Sequence, residues 1–590
     1  MKKFCIWNIE LWSRFFTNII GADMMKKKTN CRKILLGFYL LIAGMSIYGQ
    51  VKTVYIDPSA TVNGTGTQAS PLNGTTFQVQ YGQPWTSNTT YLFKSGTTFN
   101  QSYSFNLTDP SNTSNITFGT YGTGAKPILK GTGTSGACIN IGGTNVVVGN
   151  ITIDGLELDN NHSNSYQNGC GVAIANRTGF VKILNCHIHG VFQGVRTTAC
   201  PNMSLTVTNC VIHDIWSDGI YCQGGTGISL DSIEAGRDTI YDVNMSMPNY
   251  PNDGDGIHMI DIINVWIHHN YINHSSTGTK FCVIFNQLLS SYTAHVLIEN
   301  NHFIYNSTGT IHYITLVKGG TAIFRYNLCE NAGLAIQSRG FDYQIYYNIF
   351  RNINTIYQLN AVSNSTINFY NNVVYHTNTF FDQFGETINC YNNIIDVVTS
   401  KLYNNYGQTP SRFNSDYNCY FGIADKGVVT YGAHDLQTNP LFNDTTNFDF
   451  TLKSTSPCID AGSIILGNTV DIDGNLVPNG PAVDIGSHEF NSAPPLSNKL
   501  IRITSSSAIS FKVFPNPNNG LFSIRVNNPP LNDMAIITIT DLTGKTLYSS
   551  GPLNLESPKE FDITKYKQGI YIITVFYNYN RVLYQKIIKN

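Results

Sequence analysis

VWIHHNYINH (residues 265–274) is one copy of the sequence repeat that decides the fold, and LIENNHFIYN (residues 297–306) is another. In each copy a short run of apolar and polar residues leads to asparagine and then to a turn. Further copies lie around Asn185, Asn209, Asn327, Asn348, Asn371 and Asn392. Apart from one long excursion, the steps between these asparagines run from 21 to 30 residues. A repeat of this length, rich in β-branched and aromatic residues and without helical periodicity, indicates one rung of a parallel β-solenoid.

The repeat also predicts how the rungs stack. Each rung of a solenoid buries its inward residues only against its neighbours, so the stack builds one continuous core of about a dozen rungs here. Residues one repeat apart then lie above one another at the strand spacing of about 4.8 Å. We expect the ladder asparagines to stack at one turn, namely Asn185, Asn209, Asn270, Asn327, Asn348, Asn371 and Asn392.

The composition fits an all-β chain and excludes one class of partner. Of the 590 residues only 12% are charged, and the formal net charge is −1. A nucleic-acid partner is not expected, because nucleic-acid binding requires a basic face. The 51 glycines fit a fold with many turns, and a linear core removes the usual limit on domain size.

The N-terminus has the pattern of a secretory leader. Lysines 26–28, Arg32 and Lys33 precede an apolar run from Ile34 to Met45, and this run is too short for a permanent membrane span. We therefore predict that residues 1–49 are a leader, with the true start at Met24 or Met25.

The cysteines have no paired spacing. Cys186 and Cys210 directly follow a repeat asparagine in successive rungs. This placement predicts a stack of small buried side chains rather than a disulfide framework.

The C-terminal region is a separate unit. It contains FKVFPNPNNGLFSI (residues 511–524), ITDLTGKTLYS (539–549) and FDITKYKQGIYIITV (561–575). These segments resemble the type A sorting domain of the type IX secretion system. The resemblance implies a short β-sandwich over residues 511–590, handling by the type IX machinery, and a secreted or cell-surface protein that passes through the periplasm and the outer membrane.

Two further segments bracket the repeats. VYIDPSATVNGTGTQASPLN (residues 54–73) resembles the opening of secreted right-handed β-helix proteins, and SPCIDAGS (456–463) with VDIGSHEF (483–490) resembles their closing segment. The resemblance implies a right-handed parallel β-helix over residues 50–495, with the closing segment from about residue 400 and a linker at 496–510.

The excursion predicts one candidate site. The chain leaves the repeat after Gly227 and returns through NDGDGIHMI (residues 252–260), and loops inserted into a solenoid tend to gather on its binding face. The repeat places Arg196, Tyr221 and His258 in one column, with Asp255 nearby. Asp and His together suit acid–base chemistry or a metal site, although DGDG also suits a simple turn.

Two cations predict a second candidate site. Lys318 and Arg339 each stand nine residues before a repeat asparagine, Asn327 and Asn348. In register, two stacked cations would repel each other unless an anionic ligand lay across them.

The segment ITLVKGGTAIFRYNLCENAGLAIQSRGFDYQIYYNIF (residues 314–350) resembles the catalytic rungs of the chondroitinase B and alginate lyase family. The resemblance implies that Lys318 removes the C5 proton of a uronate and that Arg339 assists the leaving oxygen. Hydrophobic Ile311 and Tyr313 replace the family's acidic calcium ligands, so no cofactor is expected and calcium lacks its usual ligands. The predicted substrate contacts are Arg196, Tyr221, Asp255, His258, Lys280, His312, Tyr313 and Arg325.

The sequence therefore favours a secreted monomeric lyase that acts on an anionic polysaccharide of the alginate, chondroitin or pectate type. A glycoside hydrolase or uronate epimerase that uses Asp218 and Asp255 stays open, because hydrolysis needs two nearby carboxylates. A non-catalytic adhesin or glycan-binding surface protein stays open as well.

Overall fold

The computed structural model describes the chain from residue 51 to residue 589, with gaps. The described residues are 51–74, 86–100, 105–107, 115–131, 136–161, 169–224, 230–241, 243, 254–274, 281–289, 291–305, 309–315, 320–339, 342–359, 365–382, 387–404, 412–465, 470–490, 510–516, 518–527, 534–541, 546–549, 553–554, 559–577 and 581–589. The predicted leader lies outside them, as do Asp253, Lys280 and Lys318.

The described part of residues 51–490 consists of short strands. They are β1 (Lys52–Asp57), β2 (Leu72–Asn73), β3 (Thr89–Lys94), β4 (Thr98–Asn100), β5 (Phe105–Leu107), β6 (Ile116–Tyr121), β7 (Ile128–Lys130), β8 (Ile139–Val148), β9 (Ile151–Asp154), β10 (Glu157–Asp159), β11 (Val172–Leu184), β12 (His187–Val191), β13 (Val195–Thr198), β14 (Met203–Thr208), β15 (Val211–Ile215), β16 (Ile220–Gln223), β17 (Leu230–Gly236), β18 (Thr239–Tyr241), β19 (Ile257–Ile260), β20 (Ile262–His268), β21 (Tyr271–Asn273), β22 (Phe281–Asn286), β23 (Ala294–Glu299), β24 (His302–Ile304), β25 (Thr310–Thr315), β26 (Gly320–Arg325), β27 (Leu328–Glu330), β28 (Leu334–Arg339), β29 (Tyr343–Tyr346), β30 (Ile349–Leu359), β31 (Thr366–Tyr370), β32 (Val373–Asp382), β33 (Thr387–Tyr391), β34 (Ile394–Asn404), β35 (Arg412–Asp416), β36 (Cys419–Ile423), β37 (Phe442–Asp444) and β38 (Asp449–Leu452).

Strands β1 to β36 pair in parallel, each with strands of the rungs before and after it. They form three long sheets. Sheet I contains β1, β3, β6, β9, the end of β11, β14, β17, β20, β23, β26, β29, β31, β33 and β35. Sheet II contains β4, β7, β10, β12, β15, β18, β21, β24, β27, the starts of β30, β32 and β34, and β36. Sheet III contains β5, β8, the start of β11, β13, β16, β19, β22, β25, β28 and the ends of β30, β32 and β34. The chain is a parallel β-helix, as the repeat predicts.

The core runs along the axis of the solenoid. Side chains alternate between the two faces of a strand, so every second residue of a rung points inward and stacks on its counterparts. In sheet I one such column is Ile153, Ile183, Val207, Ala235, Ile267, Ile298, Phe324, Ile345, Phe369 and Cys390. All members of this column are buried in one continuous cluster.

The predicted cysteine stack is confirmed for the described residues. Cys186 and Cys210 are buried and free, as are the other described cysteines. Each thiol lies near carbonyl groups of its own turn, so these cysteines fill turn positions and form no disulfide.

The asparagine ladder exists, and its register differs from the prediction by one residue at several rungs. The stacked amides are Asn270, Asn301, Asn327, Asn348, Asn372, Asn393 and Asn418. From Asn301 onward, each Oδ1 accepts hydrogen bonds from the backbone N–H and the Nδ2 of the asparagine one rung earlier, for example at 3.0 Å from Asn301 to Asn327. The ladder thus satisfies buried turn groups that the sheets leave unpaired.

Asn185, Asn209, Asn371 and Asn392 do not belong to this ladder. Each precedes the ladder position and has a positive φ, between 51° and 56°. Asparagine is favoured there because its short polar side chain tolerates the left-handed region. Two turn requirements at neighbouring positions therefore both select asparagine, which is why the sequence pattern alone chose the wrong member of the pair.

The C-terminal unit consists of two antiparallel sheets. Its strands are β39 (Ser510–Phe514), β40 (Leu521–Asn527), β41 (Met534–Asp541), β42 (Thr546–Ser549), β43 (Leu553–Asn554), β44 (Lys559–Asp562), β45 (Gly569–Tyr577) and β46 (Arg581–Lys589). Strands β39, β40 and β44 form one sheet, and β41, β42, β43, β45 and β46 form the other. Residues of both sheets, such as Ile524 and Ile573, share one buried cluster, which confirms the predicted small β-sandwich. Among the described residues no helix is long and apolar enough to span a membrane.

Candidate functional site

The outward face of sheet III carries the predicted column. Arg196 of β13 is in register with Tyr221 of β16, and Tyr221 is in register with His258 of β19. Their neighbours in the same strands, such as Val195 and Ile257, point inward and are fully buried. The prediction that Arg196, Tyr221 and His258 share one column is confirmed.

The three side chains of this column contact one another. The guanidinium carbon of Arg196 lies 6.0 Å from the centre of the Tyr221 ring, within the range of a cation–π contact. The ring of Tyr221 meets the His258 imidazole edge to face, with centres 5.2 Å apart. The Tyr221 hydroxyl donates to Oε1 of Gln223 at 3.1 Å. The column is therefore an ordered stripe of alternating cationic and aromatic groups.

The same face continues through later rungs. His258 is followed by Ile284, then by Tyr313 and Gln337. Tyr313 is half-buried and its ring lies 5.3 Å from that of Phe281. We call Arg196, Tyr221, His258, Tyr313 and Arg339 the sheet III row, since all five lie on outward positions of that sheet.

Two buried carboxylates stand beside His258. Nδ1 of His258 lies 3.2 Å from Oδ2 of Asp255 and 3.8 Å from Oδ1 of Asp218. The carboxylates belong to successive rungs, as predicted for Asp218 and Asp255, and each is nearly inaccessible to solvent. The three residues form a compact cluster at the start of β16 and β19.

Both carboxylates also serve the turns. Oδ1 of Asp218 accepts the backbone N–H of Asp255 at 3.0 Å, and Oδ1 of Asp255 accepts the N–H of Phe281 at 3.1 Å. Gln193 donates to Oδ2 of Asp218 at 2.7 Å. Asp218 and Asp255 therefore repeat, on another edge of the solenoid, the bonding pattern of the asparagine ladder.

The cluster keeps His258 charged. Burial opposes the imidazolium, but hydrogen bonds and charge from Asp218 and Asp255 outweigh it and raise the pKa of His258 to about 10. Burial raises the pKa of Asp255 to about 6, and the nearby Asp218 adds to this shift while His258 opposes it. At neutral pH His258 is a fixed cation and cannot act as a general base.

The cluster also has the spacing of a metal site. Ligand atoms of Asp218, Asp255 and His258 lie within 4.8 Å of one another, which is close enough for a shared metal ion. Without an ion, the His258 imidazolium balances one of the two carboxylates.

Arg339 lies on the predicted face in a different register. It is exposed at the end of β28, opposite Thr315 of β25. Lys318 follows Thr315 by three residues and lies outside the described residues. The expectation that Lys318 and Arg339 are in register is thus wrong, because the turn between sheets III and I is three residues longer in the earlier rung.

Two predicted substrate contacts are internal. His312 is fully buried, its ring stacks on Phe324 at 5.8 Å, and burial lowers its pKa to about 4. Arg325 is buried in an ion pair with Glu299, with Nη2 and Oε2 2.6 Å apart. Neither side chain reaches a surface ligand. His312 points into the core of the solenoid, whereas Arg325 follows inward-facing Phe324 on sheet I and is covered by its contacts with Glu299 and Tyr346. Lys280 lies outside the described residues.

Sequence reasoning missed a histidine cluster on sheet II. His187, His189 and His213 converge there with Glu157. The signal is visible in the repeats CHIHG (residues 186–190) and CVIHD (210–214), where histidines at alternate positions point to one face of a strand.

The C-terminal sandwich matches a known family. Residues 512–590 match the secretion system C-terminal sorting domain. This domain marks the chain for secretion by the type IX system to the cell surface or the extracellular space.

Comparison with other proteins leaves the activity open. No curated protein sequence matches the chain. Two structures of GH136 lacto-N-biosidase from Eubacterium ramulus are similar, one at TM-score 0.35 and 11% identity over 69% of this chain and 74% of that chain. The other has TM-score 0.34 and 14% identity over 52% of this chain and 64% of that chain. An alginate lyase from Paenibacillus sp. str. FPU-7 has TM-score 0.25 and 12% identity over 57% of this chain and 99% of that chain. At these low values the similarity assigns neither substrate nor reaction.

Proposed function

We propose that the protein is a secreted lyase that cleaves a uronate-containing anionic polysaccharide by β-elimination. The observation that carries the proposal is the sheet III row, in which Arg196, Tyr221 and His258 stack in register on one outward face. A row of this kind presents charge and ring faces along the solenoid axis. It suits an extended polymer better than a compact metabolite.

The charge pattern favours an anionic polymer. Arg196 and Arg339 are permanent cations and carry the positive charge of the row, because Asp218 and Asp255 offset the charge of His258. A guanidinium binds a carboxylate through two parallel hydrogen bonds, and the Tyr221 ring offers a flat surface beside it. These groups provide the recognition that a uronate chain requires.

The elimination needs a base and an acid at the cleaved bond. A base takes the C5 proton, the C4–O bond breaks, a C4–C5 double bond forms, and the departing oxygen receives a proton. Preorganised cations stabilise the charge that builds on the uronate carboxylate in this step. The family resemblance assigns the base to Lys318 and the acid to Arg339.

The described chain is compatible with this assignment. Thr315 pairs with Arg339, and Lys318 follows three residues later. The proposal requires that the Lys318 amine reach the substrate unit that Arg339 contacts. Lys318 must be neutral to accept the proton, and neighbouring cations lower a lysine pKa in that direction.

Hydrolysis by Asp218 and Asp255 is the second candidate. Their carboxylates are close together, and the pKa of Asp255, raised to about 6, suits a general acid. Against this role, both side chains are buried and both accept backbone hydrogen bonds. These contacts favour a structural role for the pair.

A panel of polymers tests the proposal. The mature chain is incubated with alginate, chondroitin, pectate and carrageenan, the last being anionic but free of uronate. We expect one of the first three to yield unsaturated products with ultraviolet absorbance. Chain shortening without this absorbance would favour the hydrolase, and binding without shortening would favour a glycan-binding surface protein.

Two single substitutions test the role of the sheet III row on the same polymer. Arg196→Ala is expected to weaken binding about tenfold, since a hydrogen bond to a charged group contributes about 1.5–3 kcal/mol. Lys182→Ala is the matched control, because Lys182 is a half-buried cation on sheet I. Equal loss in both variants would show that only net charge matters.

A further inference from the structure

Sheet II carries a cluster that the proposed lyase does not use. Glu157 of β10 is in register with His187 of β12, and His189 of β12 is in register with His213 of β15. His187 and His189 are two residues apart, so both point outward from the same strand. Three consecutive rungs therefore bring four potential metal ligands to one patch of the surface.

The ligand atoms are close together. One ligand atom each from Glu157, His187 and His189 lies within 4.8 Å of the others. Nε2 of His187 and Nε2 of His213 are 2.7 Å apart. Two ligands of one zinc ion, each about 2.0–2.1 Å from the metal, lie at most about 4.2 Å apart, so small side-chain rotations would close the set.

The histidine nitrogens face one another and nearby carboxylates. Nε2 of His187 faces Nε2 of His213, and Nδ1 of His187 lies 3.7 Å from Oε2 of Glu157. A cation between Nδ1 of His187 and the Glu157 carboxylate would attract both.

One histidine of the cluster has a carboxylate partner of its own. Nδ1 of His213 lies 3.1 Å from Oδ2 of Asp214. A carboxylate behind a coordinating histidine, as Asp214 stands behind His213, orients the ring and strengthens the ligand.

The patch is rigid and open to solvent. The rings of His189 and His213 stack with centres 5.2 Å apart, and Tyr241 stacks on His213 at 4.7 Å. The His187 and His189 side chains retain 31% and 19% of their accessible surface. An ion can therefore enter without unfolding the rungs that hold the ligands.

We propose that Glu157, His187 and His189, with His213 beside them, form a binding site for a divalent transition metal of the zinc class on sheet II. Imidazole nitrogen with one carboxylate is a ligand set that suits zinc rather than calcium. The site lies on a different sheet from the polysaccharide row. Metal binding by Glu157, His187 and His189 would link two adjacent rungs of the solenoid.

The same face supplies a matched control. His302 of β24 lies 2.9 Å from the Glu330 carboxylate through Nε2, and Glu330 also pairs with Arg351. This is a histidine–carboxylate pair in the same sheet whose carboxylate already has a cationic partner. It should not bind zinc.

The test uses the tag-free mature chain after treatment with a chelator. Zinc titration by calorimetry should show one equivalent bound, and zinc should raise the melting temperature. Cobalt in place of zinc should give a visible absorption spectrum. His187→Gln and His189→Gln should each weaken zinc binding at least tenfold and abolish the cobalt spectrum, whereas His302→Gln should behave as the wild type.

Two results would overturn the proposal. One is a wild-type protein whose melting temperature and calorimetric trace do not respond to zinc. The other is zinc binding of equal strength in the wild type and in variants that melt normally without metal. If either histidine variant fails to fold, Glu157→Gln, which keeps the shape of the side chain, provides the same comparison.

Discussion

Nδ1 of His258 lies 3.2 Å from Oδ2 of Asp255, so a buried carboxylate holds a cationic imidazole at the surface of sheet III. Asp218 adds a second negative partner at 3.8 Å. The imidazolium of His258 offsets part of the negative charge of the two buried carboxylates. The cluster therefore needs no metal ion to hold His258 in place, and the positive charge of the sheet III row comes from its arginines.

The first prediction concerns stability and pH. The folded-state pKa of His258 is raised from 6.5 to about 10, so its stabilising contribution is fully present below pH 6.5 and is lost as the pH rises through about 10. We expect the melting temperature of the wild type to fall over this window more than that of His258→Gln. Thermal melts at successive pH values check this, and parallel curves for the two proteins would contradict it.

The second prediction separates a structural from a catalytic role of the buried carboxylates. Asp255→Asn keeps an Oδ1 acceptor for the N–H of Phe281 but removes the charge. Under the lyase account this variant should keep cleavage within about tenfold, since a missing general acid or base lowers the rate by about 10²–10⁴. The rate of product formation measures the difference, and a loss of a thousandfold or more would assign the chemistry to Asp218 and Asp255.

The third prediction concerns the asparagine ladder. Asn348→Ala removes the acceptor of the Asn327 N–H and Nδ2, and it removes the amide donor to the carbonyls of Phe324 and Tyr346. Buried groups left unsatisfied cost about 1–3 kcal/mol each, so the unfolding free energy should fall by about 3–5 kcal/mol.

Asn414→Ala is the control for the ladder, because Asn414 is an exposed amide with one side-chain bond to Asn389. It should change the unfolding free energy by less than about 1 kcal/mol. Chemical denaturation of both variants measures these values. Similar losses in the two would mean that the buried ladder contributes no more than a surface amide.

The repeat was sufficient to predict the solenoid, since its period and alternation set the rungs and the inward face. It was not sufficient for the register of every turn. Asn371 and Asn372 satisfy different local requirements, a positive φ and a ladder bond, and no one-dimensional pattern separates them.

The residues of the candidate sites were also only partly predictable from the repeat. The column of Arg196, Tyr221 and His258 was predictable because a Gly–X step precedes each residue at one repeat position. His312 was misplaced because alternation along β25 turns it inward, and Arg325 was misplaced because its ion pair with Glu299 buries it on sheet I. The histidines of sheet II were missed, since their partners belong to different rungs.

The fourth prediction concerns export. Deleting residues 511–590 removes the region that matches the sorting domain, while the solenoid keeps its separate core. We expect the truncated protein to fold and to accumulate in the periplasm of its native host. Circular dichroism tests whether the truncated protein folds, and cell fractionation shows where it accumulates. A truncated protein that still reaches the cell surface would contradict the assignment.

The most direct test of the central claim is the ultraviolet absorbance of unsaturated product when Lys318→Ala is incubated with the polymer that the wild type cleaves. Under the proposed mechanism the absorbance should not rise, since no neutral base remains to take the C5 proton, and Lys318→Arg should fail almost as completely because a guanidinium stays protonated. The unfolding free energy should change by less than about 0.5 kcal/mol, as expected for a residue that serves catalysis rather than packing. An absorbance that rises at the wild-type rate in Lys318→Ala would contradict the account.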